Sequence, residues 1–354
     1  MRTFHTFALA TLLLILSGFA VGCRKANSQQ ASSDSDNTTL TILTTDNIRF
    51  SGFLKRIIPA FEQANNCKVE VSSVTDKSEL MKTIRNEEEL GKIDLVLGLD
   101  NCFLIDRQDL ELFDSSNALR KHPVNEQFIF DREQRAIPFG FGYLCILYDQ
   151  EKIPVPPQSF GELQDARFMN QLVISDPHSS GIGRATMLWT VALFGNSGFQ
   201  QLWRSIKKNI HSTKDTYSEA LNTLESGACG MAIGFTGTPA WNKEKDADAL
   251  SLKTSLLQEG SFLYIEAAAI PNKANSKGLA ENFMAYLLSP EVQKYVAYDL
   301  GFFPANESAP LPDKFVASPY SADYVNGRLR YEEPEANLSL WLELWDKIFS
   351  RSMM

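Results

Sequence analysis

The sequence predicts an α/β protein built as two lobes joined by two extended hinge strands with a ligand cleft between them, and three observations carry that prediction. Short β-rich runs alternate with segments whose apolar residues recur at helical spacing, the pattern of sheets covered by helices on both faces. Two stretches, 136–148 and 262–270, are long, extended and apolar, as chain passing from one lobe to another would be. The chain has 354 residues, more than a single hydrophobic core usually serves.

The first element is a leader. Arg2 precedes an apolar run over 7–15, small residues follow, and the run stops at Ala20-Val21-Gly22-Cys23, which predicts a secretory signal over 1–22. The run is shorter than the roughly 20 apolar residues of a bilayer-spanning helix. It resembles a bacterial lipoprotein signal with Cys23 as the lipidated residue, although Ala20 stands where that motif usually has Leu; an ordinary cleaved signal is the alternative. Residues 23–38, rich in Ser, Asn, Gln and Asp, read as a flexible tether.

Residues 39–43 form a β-rich run, 51–63 carry Phe53, Ile57, Ile58 and Phe61 at helical spacing, and 68–74 alternate like a strand. A helix over 78–89 and a continuous apolar strand over 93–99 complete one open α/β set. After the extended segment 136–148, Pro154, Pro156 and Pro157 break the chain. The second set has a strand over 171–175, helices over 182–194, 199–207 and 217–225, and a strand over 230–234. The extended segment 262–270 returns the chain, and helices over 278–288, 290–298 and 338–349 follow. One lobe then comprises 39–138 with 271–354, and the other 139–270.

A formal charge of −9 and the lack of a basic block argue against a nucleic-acid partner. Cys67, Cys102, Cys145 and Cys229 have no metal-ligand spacing, so no metal site is expected, and disulfides stay open in an exported chain. No GxSxG, HExxH, P-loop or GxGxxG motif is present, which argues against an enzyme with catalytic residues or a cofactor.

Four strings carry a resemblance: 95–101 (LVLGLDN), 138–143 (PFGFGY), 217–220 (YSEA) and 235–241 (FTGTPAW). Their order and spacing resemble the periplasmic thiamine-binding proteins of bacterial ABC importers over about 39–350. The resemblance implies a type II periplasmic-binding-protein fold, capture of thiamine with its mono- and diphosphate left open, and delivery to a permease dimer driven by an ATPase. The chain is expected to be a monomer in the periplasm, held to the membrane by the lipid that the leader's resemblance to a lipoprotein signal implies on Cys23.

Thiamine carries a permanent thiazolium cation, a flat aminopyrimidine and a hydroxyethyl arm, so its site needs aromatic faces, a carboxylate and a few donors. Asp76 matches the family carboxylate that contacts ligand, and Asp46 also follows a strand; helix capping or turn formation is the alternative for both. Ser180 and Gly181, at a predicted helix start, match the family's residues for the phosphorylated arm. Tyr217, Phe235 and Trp241 match aromatic positions where the family carries Trp, Tyr and Tyr, and Thr238 lies in the loop between the last two. The alternative for these aromatics is packing within a lobe. Thr45 replaces a family Tyr, and Phe302 or Phe303 must stand in for a family Trp.

Other functions stay open at this point. A ferric-ion binder needs a Tyr pair near a strand end, and the loop after Gly234 has no tyrosine. Arg184 keeps an anion binder open, another organic cation would suit the same aromatics, and a tethered surface lipoprotein without a transport role would bind no small solute.

Overall fold

The computed structural model describes residues 39–247, 249–318 and 323–349. The leader, the tether and Cys23 lie outside the described residues.

From the start, β1 (Thr39–Thr45) passes through α1 (Asp46–Phe50) into α2 (Phe53–Asn65), β2 (Lys68–Val74), α3 (Lys77–Arg85), α4 (Glu87–Leu90) and β3 (Leu95–Asp100). The short α5 (Arg107–Leu110), β4 (Phe113–Asp114) and α6 (Ala118–Lys121) lead to the long β5 (Ala136–Asp149). Next come β6 (Leu172–Ser175), α7 (Gly181–Ile206), β7 (Ile210–Lys214), α8 (Tyr217–Glu225), β8 (Met231–Phe235), α9 (Thr238–Lys245) and β9 (Leu252–Ser255). After β10 (Leu263–Pro271) follow α10 (Lys277–Leu287), α11 (Pro290–Tyr295), β11 (Phe303–Pro304), α12 (Asp313–Val316), α13 (Asn326–Leu329) and α14 (Pro334–Phe349).

The main strand order is β2-β1-β3-β10-β5-β8-β6-β7. β1 is parallel to β2 and β3, and β6 is parallel to β7 and β8, so two parallel sets stand at opposite ends of the order. β5 joins them: residues 136–143 pair antiparallel with β10, and residues 144–148 pair antiparallel with β8. Apart from Tyr148, every residue of β5 is buried, which is why this segment reads as an unbroken apolar run. β10 is buried along its whole length and makes the return crossing. This is the two-lobe α/β arrangement with two hinge strands.

Local chemistry fixes the helices. α2 buries Phe53, Leu54, Ile57 and Phe61 on one face and ends at Asn66, whose left-handed backbone (φ 47°) sends its N–H back to the Glu62 carbonyl. The expected helix over 78–89 divides at Asn86, whose side chain caps α4. The two helices expected over 182–207 are present as the two halves of α7, separated by a kink at Gly195, where φ of 66° is accessible because glycine lacks a Cβ.

Several short elements were not foreseen, β7, β9 and α9 among them. β7 is a half-exposed edge strand, His-Ser-Thr-Lys after Ile210, with no apolar alternation to announce it. β9 and α9 are short and polar. The terminal segment makes contacts with the second strand set. α13 and α14 pack on α7, with Trp345 edge-on to Trp203 at 4.8 Å and Trp341 donating to Asn196 Oδ1.

Candidate functional site

A cleft with about 460 Å³ of empty space, counting its open mouth, lies where five strands end. Thr45 closes β1, Thr75–Lys77 follow β2, Ser179–Ile182 follow β6, Asp215–Ser218 follow β7, and Phe235 closes β8. The carboxyl ends of parallel strands are where open α/β sheets gather ligand-binding residues. The two sides touch: the Lys77 N–H donates to the Ser179 carbonyl at 3.2 Å.

Three helices start at this cleft, each with its own cap. Asp76 Oδ1 accepts the Glu79 N–H at 2.9 Å, and Glu79 Oε2 accepts the Thr75 N–H at 3.0 Å. Asp76 therefore serves the capping role and still lines the cleft. Ser180 caps α7 by accepting the Gly183 N–H at 3.4 Å. Thr216 and Glu219 form a reciprocal capping box at the start of α8. The positive ends of three helix dipoles thus face one space, with the carboxylates of Asp76 and Asp215 beside them.

Of the residues singled out from sequence, Asp76, Ser180, Gly181, Tyr217 and Phe235 line the cleft together. The others stand outside its lining. Asp46 accepts the Ser73 hydroxyl at 2.5 Å. Thr238 is behind Tyr217, its Oγ1 2.7 Å from the tyrosine hydroxyl, which burial pushes above the ordinary tyrosine range. Phe302 backs Phe235, ring centroids 5.0 Å apart and edge-on. Trp241 packs on the Gly301 backbone with Lys245 Nζ 4.0 Å over its ring, a packing position one layer away from the cleft. Arg184, the cation that kept an anion binder open, is buried: its guanidinium lies 3.5 Å over Phe103 and its Nε donates to the Pro177 carbonyl. Burial lowers its pKa to about 10.

Sequence reasoning missed the floor beneath Gly181. There Lys77, Asp100, Tyr264 and Glu266 form a buried polar cluster. Lys77 Nζ donates to the Gly98 carbonyl and to both Glu266 oxygens at 3.0 Å, and it lies 3.4 Å from Asp100 Oδ2. The Tyr264 hydroxyl is 2.9 Å from both Asp100 Oδ2 and Glu266 Oε1. Burial acts to lower the Lys77 pKa, but the neighbouring carboxylates outweigh it and the net direction is up. Only the polar residues in two otherwise apolar strands, Asp100 and Glu266, signalled this cluster in the sequence.

Asn47, Ser179, Asp215 and Ser218 are further lining residues without a sequence signal beyond their place after strands. Among the described residues, the four cysteines are free, and no group of three or more His, Cys, Asp or Glu side chains is placed to hold a metal ion.

Comparison with known proteins extends this picture. Residues 91–326 match the family model for bacterial extracellular solute-binding proteins. The thiamine-binding periplasmic protein of Brucella suis is 27% identical over 320 residues, covering 88% of this chain and 92% of that protein. Its counterpart in Escherichia coli K12 is also 27% identical, over 297 residues, covering 82% and 87%. A solved periplasmic thiamin binding protein superposes with a TM-score of 0.76 at 24% identity, covering 88% of this chain and 96% of the other.

Proposed function

Since the chain belongs to the bacterial extracellular solute-binding proteins, we propose that it captures thiamine in the cleft and delivers it to the permease of an ABC importer. The observation that carries this reading is the lining itself: the Asp76 carboxylate beside the aromatic side chains of Tyr217 and Phe235, in a chain whose relatives are named thiamine-binding periplasmic proteins. A permanent organic cation gains from both a carboxylate and aromatic faces, the latter worth about 0.5–2 kcal/mol each. The hydroxyls of Ser180, Thr216 and Ser218 suit the aminopyrimidine and hydroxyethyl groups.

The helix starts at Ser180 and Thr216 support extending the ligand range to thiamine mono- and diphosphate. The lobes hinge where β5 and β10 pass between the two strand sets, near residues 143–144 and 263–265, and close around the ligand. The closed monomer docks on a permease dimer powered by its ATPase, and no bond in the ligand is made or broken. The leader directs export, and a lipid on Cys23 holds the protein at the membrane while the tether lets it reach the permease.

Isothermal titration of thiamine, its monophosphate and its diphosphate into protein unfolded and refolded to strip carried-over ligand tests the reading. Sub-micromolar binding of at least one of the three is the expected result. No heat from any of them overturns the thiamine assignment and directs the search to other small solutes.

A further inference from the structure

The cluster beneath Gly181 contains one hydroxyl proton too few. Tyr264 Oη stands 2.9 Å from Asp100 Oδ2 and 2.9 Å from Glu266 Oε1, yet a phenol has one proton and can donate to only one of them. If both carboxylates were ionised, one of these contacts would set two oxygen lone pairs against each other in a buried site. Lys77 does not repair this, because its ammonium is directed at the Gly98 carbonyl, at both Glu266 oxygens and towards Asp100 Oδ2.

We infer that the cluster holds one additional proton, carried on Glu266 Oε1 and donated to Tyr264 Oη, which in turn donates to Asp100 Oδ2. The proton is taken from solvent as the chain folds. The placement follows from the acceptors each carboxylate satisfies. Asp100 Oδ1 accepts the backbone N–H groups of Cys102 and Phe103 at 2.8 and 2.7 Å, so this carboxylate is already filled with fixed donors. Glu266 is 2% exposed and, among the described residues, no backbone N–H donates to its carboxylate; burial pushes its pKa up.

The titratable and charged groups facing this pair are Lys77 from α3, Tyr264 on β10, Cys102 after β3, and Arg184 from α7. Arg184 acts on Asp100 only through space, since its Nε is bound to the Pro177 carbonyl and its plane lies on Phe103. It supplies no hydrogen to the Tyr264–Glu266 contact.

These four residues position the cleft. Lys77 directly follows Asp76 and its N–H bonds Ser179 across the cleft. A Cβ on Gly181 would lie 2.3 Å from Tyr264 Oη and 2.8 Å from Asp100 Oδ2, so the tyrosine and the aspartate define how closely α7 approaches. With Glu266 neutral, Lys77 and Asp100 cancel, and the negative field offered to a cation comes from Asp76 and Asp215. Only this last step rests on the thiamine reading.

The test is carboxyl ¹³C NMR of the intact protein without ligand, the Glu266 signal being assigned by through-bond experiments. The expected spectrum at pH 7 shows Glu266 neutral and Asp100 ionised; an ionised Glu266 at pH 7, or one that titrates in the ordinary glutamate range, overturns the proposal. Glu266→Gln replaces the proposed O–H donor by an N–H donor. It should keep the melting temperature of the parent, whereas Asp100→Asn, which strips Lys77 of its counter-charge, should lower the melting temperature. Equal destabilisation by both variants also overturns the proposal. The spectrum needs no thiamine, so absence of thiamine binding would leave its result standing.

Discussion

At the scale of single residues, Asp76 separates charge from structure. It caps α3 and lines the cleft, and Asn caps a helix about as well as Asp. Asp76→Asn should therefore leave stability within about 0.5 kcal/mol of the parent and weaken thiamine roughly tenfold, about 1.4 kcal/mol, by titration calorimetry. Unchanged affinity would remove Asp76 from the ligand's surroundings. Trp241 packs outside the cleft lining, so on the proposed function the stacking faces are those of Tyr217 and Phe235; Tyr217→Ala should cost about 1–2 kcal/mol of binding and Trp241→Ala chiefly stability. The raised pKa of Glu266 also makes a prediction with a definite sign. The folded protein then binds more protons than the unfolded chain above the ordinary glutamate range near about 4.3, so this group's contribution to stability declines as pH rises through its folded value. Denaturant titrations across pH should show that slope in the parent and lose it in Glu266→Gln.

At the scale of elements, the cleft depends on how closely α7 approaches β10. Gly181 is the contact point, and Gly181→Ala places a methyl carbon against Tyr264 Oη and Asp100 Oδ2, each fixed by the cluster. The helix and its N-cap tolerate alanine, so the cost falls on closure. Affinity for thiamine should drop at least about tenfold while far-UV dichroism is unchanged; full affinity would mean that the approach is not needed for binding. The same geometry explains what was legible in the sequence. Asp76, Ser180, Gly181, Tyr217 and Phe235 were singled out by their match to the resembled family, and each also follows or ends a strand. Phe302, Thr238 and Trp241 sit one layer back, and neighbours in sequence carry no information about depth from a cleft. The Lys77–Glu266 pair spans 189 positions, and no local pattern announces such a partner. β5 and β10 were legible because nearly complete burial draws apolar residues along most of their length, while the edge strand β7 lacks that requirement.

At the scale of the whole molecule, the chain crosses at β5 and returns at β10, and its terminal segment then lies on α7, the long helix of the second strand set. Trp345 is 2% exposed, edge-on to Trp203 and 4.5 Å from the Phe349 ring, so its loss opens a cavity in a tightly packed aromatic cluster. Trp345→Ala should cost about 3–5 kcal/mol in urea unfolding. Two polar links tie α14 to its surroundings as well: Glu335 meets Arg107 at 3.0 Å, and Asp346 meets His178 Nε2 at 2.9 Å. Both pairs are exposed and contribute little to stability by themselves, well under about 1 kcal/mol each. His178, however, immediately precedes Ser179 and Ser180, so the second link reaches the turn that lines the cleft. If α14 serves only as packing for α7, Trp345→Ala lowers the unfolding midpoint while the folded fraction keeps the parent's thiamine affinity, and His178→Ala changes neither. A drop in affinity for His178→Ala at unchanged stability would instead show that α14 holds the Asp176–Ser180 turn in its binding geometry, and would make the terminal helix part of the closing mechanism.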